Sequence, residues 1–180
     1  MIETREAGRV AMLRYTWSCS CCGRQFDELP LDWSAEPAPP PYYDVPEAER
    51  AARTTLSKSF CTVDRQAFVR GLVEIPVIGH PNRFAWGVWV SLSEKSAEMI
   101  TALWDDPDQE RAGPFFGWLC SRLPLYPDTL HLKTHVHLRA PPLVPYIEVE
   151  PTDHPLAVEQ RAGMTVARVR EIAEALLPRH

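Results

Sequence analysis

Residues 67–92, AFVRGLVEIPVIGHPNRFAWGVWVSL, decide the fold. From Ala67 to Ile78, Val69, Val73, Ile75 and Val77 fall on one face with Gly71 in register, and Arg70 and Glu74 fall on the other. From Arg83 to Leu92, Phe84, Trp86, Val88, Val90 and Leu92 share a face. Period two on both sides of Gly79-His80-Pro81-Asn82 reads as an antiparallel hairpin with a four-residue loop. The hairpin is expected at the centre of a larger sheet, with Val73, Ile75, Trp86, Val88 and Val90 in the core.

Outward from it, Ser91-x-x-Glu94 has the form of a capping box and predicts a helix to about Trp104. Pro114 to Cys120 reads as a short aromatic strand. Leu130, Leu132, Val136 and Leu138 alternate with His131, Lys133, His135, His137 and Arg139, which predicts another strand, and Val144 to Glu150 returns beside it. Helices are expected over Pro155 to Ala162 and Val166 to Leu177, separated by Gly163. On the N-terminal side, Arg14 to Cys19 predicts a strand. Residues 37–46 hold five prolines and predict an extended, polyproline-like segment, and a helix follows Pro46. The sum is an α+β fold: one domain, a mainly antiparallel sheet built from hairpins, covered by helices, two of them at the C-terminus. Residues 1–11 are expected to be a disordered tail and 12–180 the globular domain.

Composition narrows the function. The 180 residues are 45% hydrophobic and 24% charged, as in ordinary globular proteins. The net charge of −5 gives no help to phosphate-backbone binding, so no nucleic-acid partner is expected. No apolar run approaches the about 18 residues a membrane span needs. Five cysteines, three within residues 19–22, argue against a disulfide framework and for a reducing cytoplasm.

Three clusters could carry chemistry. Cys19-x-x-Cys22-Gly23 is half of a zinc site, with Cys61 as third ligand, because a tight turn can converge two thiolates on one ion. The alternative is a turn of small residues with inert thiols. Asp153-His154-Pro155, with Arg161 downstream, offers a carboxylate beside an imidazole for acid–base work. The same letters also make a helix start, with Asp153 as the cap and Pro155 early in the first turn. His135-x-His137, with His131 behind, places imidazoles on one strand face. Lys133 and Arg139 in that row favour a solvated surface over a metal pair.

Several blocks occur in order: Cys19-x-x-Cys22-Gly23 running to Leu29-Pro30, Glu49-Arg50-x-x-Arg53, Cys61-x-x-Asp64, Arg70-Gly71-x-x-Glu74-Ile75-Pro76, Trp86-Gly87-x-Trp89, Tyr126-Pro127-x-Thr129-Leu130, and Asp153-His154-Pro155-Leu156-Ala157-x-Glu159-Gln160-Arg161-x-Gly163. Together they resemble domain-of-unknown-function family 2199 of bacteria, from Thr16 to Gly163. The resemblance implies a small stand-alone bacterial protein and supplies no activity. It also implies a histidine where Phe26 stands. With that histidine, Cys19, Cys22 and Cys61 would complete a zinc set; Phe26 cannot ligate, so the half-site is degenerate in this chain.

The sequence therefore points to a non-enzymatic binding or interaction protein, regulatory or immunity-type, taking a protein partner or a small molecule. The competing class is a metal-dependent or hydrolase-like enzyme using Asp153, His154 and Arg161. A pocket joining Arg70, Glu74, His154 and Arg161 would favour the enzyme.

Overall fold

The long hairpin governs the architecture of the computed structural model, which describes residues 16–20 and 22–177. The tail expected over residues 1–11 lies outside the described residues. In chain order, β1 (Trp17–Ser18) and β2 (Gln25–Phe26) flank the cysteine turn, and β3 (Asp32–Ser34) follows. Helices α1 (Pro40–Asp44) and α2 (Glu47–Arg53) precede β4 (Thr54–Leu56), β5 (Phe60–Val63), β6 (Gln66–Pro76) and β7 (Arg83–Leu92). Then come α3 (Glu94–Leu103), β8 (Phe115–Leu119), β9 (Lys133–His137), β10 (Tyr146–Val149), α4 (Pro155–Ala162) and α5 (Val166–Leu176).

Strands β6 and β7 pair in unbroken antiparallel register from Ala67–Leu92 to Pro76–Arg83. Val73, Ile75, Trp86, Val88 and Val90 are fully buried, as the period-two pattern requires. The connection is longer than expected, residues 77–82, because Val77 leaves β7 and bridges Met164 beyond α4.

The sheet does not stay open. β7 pairs with β8, β8 with β9 and β9 with β10, all antiparallel, and β10 then returns to β6 in parallel. These five strands close a barrel, with β3, β4 and β5 added outside it. The expected mainly antiparallel sheet is thus corrected to a closed barrel with two parallel pairings, β10 with β6 and β3 with β7. The reason is parity: in a meander the first and fifth strands point the same way, so the closing pair must be parallel. Closure leaves free sheet edges only on the added strands β3 and β4 and on the parts of strands that no neighbour reaches.

β6 is longer than either neighbour on its second edge. Residues 66–69 pair with β5, while Leu72 pairs with Tyr146 of β10. Between them, the Arg70 amide donates to the Ser59 carbonyl at 2.8 Å and the Leu72 amide to the Pro145 carbonyl at 2.9 Å. The neighbour therefore changes at Arg70-Gly71. A second apolar cluster of Val45, Cys61, Val63, Phe68, Trp89 and Cys120 covers the outer face at one end of β6–β7.

Two local expectations shift. The cap of α3 is Ser93, whose Oγ accepts from the Ser96 amide at 3.1 Å; Ser91 is still in β7, paired with Trp118. The proline segment is not extended throughout: Pro40 and Pro41 begin α1, at first-turn positions where a missing N–H costs nothing. Buried Gln160 of α4 acts as a strand surrogate. Its Oε1 accepts from the Val149 amide at 2.8 Å and its Nε2 donates to the Ile147 carbonyl at 2.7 Å. Among the described residues, no helix is long and apolar enough to cross a membrane.

Candidate functional site

Where β6 changes neighbours, its outer face opens into a groove of about 530 Å³. The floor is Arg70, Gly71 and Leu72 of β6 with Ala85 and Gly87 of β7. Asp32, Trp33 and Ser34 of β3 form one wall; Lys58 and Ser59, before β5, and Val144, before β10, form the other. The lining is apolar except for these few charged and hydroxyl groups.

Arg70 shapes the floor. Ser34 sits opposite Gly87, and Gly87 opposite Leu72. To reach from β6 to β3, the Arg70 side chain must lie across β7, and its Nη2 donates to Ser34 Oγ at 2.6 Å. Glycine at 87 permits this: an added Cβ would stand 3.0 Å from Ser34 Oγ and 3.5 Å from Arg70 Nη2. Gly71 is equally constrained from the inner side, where a Cβ would meet Ile147 at 2.6 Å and the Pro145 carbonyl at 2.7 Å.

Nearby charges are paired, but those of the groove are not. Arg139 Nη1 meets Glu74 Oε1 at 2.5 Å, and Arg53 meets both Glu49 and Asp64 at 2.7 Å. Neither Arg70 nor Lys58 forms an ion pair with a described residue, although Asp32 lines the same groove. A cation in a concave, largely apolar site, without a carboxylate partner among the described residues, has donors free to receive an anion.

The residues singled out by sequence lie elsewhere. Cys19 is buried and Cys22 exposed in a tight turn where the Gly23 amide donates to the Cys19 carbonyl at 2.8 Å. Cys61 is not brought to them. It belongs to the second apolar cluster, where burial pushes its thiol up to about 11. Cys120, in the same cluster, is also raised to about 11, by burial and by Glu36. Among the described residues, no group of three or more His, Cys, Asp or Glu could hold a metal ion. Phe26 stacks on Trp17 with ring centroids 4.7 Å apart, and Arg24 lies over it at 5.1 Å.

The cap of α4 is His154 and not Asp153. Its Nδ1 accepts from the Leu156 amide at 3.2 Å, and Asp153 is exposed. Pro155 at the first helical position fixes the cap one residue before it. Arg161 donates to the Thr152 carbonyl at 3.1 Å. Of Arg70, Glu74, His154 and Arg161, only Arg70 lines the groove. On β9, His137 faces Glu148 at 2.8 Å and His135 faces Glu150 at 3.9 Å, while His131 lies in the preceding turn. Between the barrel and α4–α5, the Tyr126 hydroxyl donates to Glu159, which Arg168 also holds at 3.1 Å. Burial and Glu159 raise the Tyr126 pKa well above its ordinary value.

Sequence reasoning missed Ser34, Lys58 and Asp32, which stand in short segments with no readable period. The available signal was glycine inside strands, at 71 and 87, which marks close approach by another group.

A family model described as "Uncharacterized protein conserved in bacteria (DUF2199)" matches residues 18–164. No curated protein and no solved structure matches the chain.

Proposed function

We propose that this chain, which belongs to the DUF2199 family of uncharacterised bacterial proteins, is a non-enzymatic binding protein whose site is the groove on β3, β6 and β7. The observation that carries the reading is Arg70, laid across Gly87 on the groove floor and anchored by Ser34, with no carboxylate partner among the described residues. Such a cation attracts a small anion, beside apolar surface that can take the rest of a ligand. The binding reading is preferred to an enzyme built on Asp153 and His154 because His154 Nδ1 accepts from the Leu156 amide and Asp153 is exposed.

The test is thermal unfolding with acetate, benzoate and inorganic phosphate, on the wild type and Arg70→Met. At a hundredfold excess over Kd, a bound anion stabilises by about 2.7 kcal/mol. For a chain of this size that raises Tm by about 5–10 °C. The rise should vanish in Arg70→Met. No shift with any anion, or an equal shift in the variant, would sink the reading.

A further inference from the structure

We infer that the groove takes a small monocarboxylate with an apolar body, a conclusion that rests on the binding reading above. Three observations select this class. Arg70 presents a planar fork of donors, of which Ser34 engages one nitrogen, leaving the geometry that a carboxylate matches two bonds at a time. Charge sets the valence: Arg70 and Lys58 against Asp32 leave one net positive charge in the lining. A single negative charge neutralises it, whereas a dianion such as phosphate overshoots and is repelled by Asp32. The rest of the ligand meets Leu72, Ala85 and Val144, which have no side-chain donor to offer. A sugar or nucleotide gains no side-chain partner from these three residues, and an aliphatic or aromatic body needs none.

Titration calorimetry of the full chain with acetate, butyrate and hexanoate, and separately with hexylamine and inorganic phosphate, tests this. Each added methylene should tighten carboxylate binding by about fourfold, the equivalent of burying one CH₂. Hexylamine should not bind, and phosphate should bind more weakly than hexanoate. Arg70→Met should abolish hexanoate binding, and Lys58→Met, on an exposed turn that leaves the barrel intact, should weaken it. Asp32→Asn should narrow the preference for hexanoate over phosphate.

The outcomes separate the two claims. If phosphate binds through Arg70 as tightly as hexanoate or more so, the monocarboxylate assignment is wrong and the groove remains a binding site. If affinity does not grow with chain length, the apolar body is wrong. If neither carboxylates nor phosphate bind, the groove reading itself falls and takes this inference with it.

Discussion

Two of the chain's hairpins are built on opposite principles. The long one, β6–β7, holds itself together by continuous pairing from Ala67–Leu92 to Pro76–Arg83 and by side chains fully inside the barrel. The short one, β1–β2, has two register pairs and relies on groups outside its own backbone. Phe26 stacks on Trp17, the Trp17 indole donates to the Glu28 carbonyl at 3.2 Å, and Glu174 of α5 accepts from both the Ser20 amide and hydroxyl, at 2.8 and 2.7 Å. An isolated two-stranded hairpin is marginal in water. The contrast shows why one hairpin can serve as a rigid platform for the groove, while the other depends on being tethered.

The sharpest way to break the comparison is to damage the long hairpin at its tightest point. Gly71→Ala drives a Cβ against Ile147 and the Pro145 carbonyl, and a backbone oxygen cannot swing aside. A loss of about 3 kcal/mol in urea unfolding is expected, as for overpacking in a closed core. A loss below about 1 kcal/mol would show that β10 can retreat and that the platform is not rigid.

In the short hairpin the expected effect is smaller. Phe26→Ala removes the stack on Trp17 and should cost about 1 kcal/mol, of the order measured for aromatic pairs. If it costs as much as Gly71→Ala, the short hairpin is as integral to the fold as the long one.

The smallest effect tests the tether. The two Ser20 hydrogen bonds hold the Glu174 carboxyl below its ordinary pKa. A carboxylate depressed in the folded state contributes stability above its unfolded pKa and loses it as pH falls through the folded one. Glu174→Gln should therefore melt slightly below wild type at neutral pH, and the two curves should converge on acidification below the carboxylate range. A gap that does not change with pH would mean that the ionised carboxylate is not what tethers the hairpin.

Legibility followed the same division. The long hairpin was readable because Val73, Ile75, Trp86, Val88 and Val90 announce their face by alternation, and α4 and α5 by helical spacing. Barrel closure was not readable. It rests on one pairing between Leu72 and Tyr146, and backbone pairing across such a distance leaves no mark in side-chain period. The cap of α4 was misplaced by one residue because Asp153 is the stronger capping type, while Pro155 dictates position. The groove was half visible. Arg70 stood out on the polar face of β6, but its meaning depends on Ser34 and Gly87, which pairing alone brings beside it.

The parallel closure between β6 and β10 also orders events in time. The β6–β7 hairpin joins neighbours in sequence and can form once β7 has left the ribosome. The closing pair must bring Leu72 to Tyr146 across everything between, at a loop-closure cost that local contacts do not bear. Until residues 146–149 have emerged, the C-terminal part of β6 presents an unpaired edge, and the floor of the groove lacks the wall at Val144. The nascent chain thus passes through a stage in which its most regular element is also its stickiest, and the groove is complete only with the last strand.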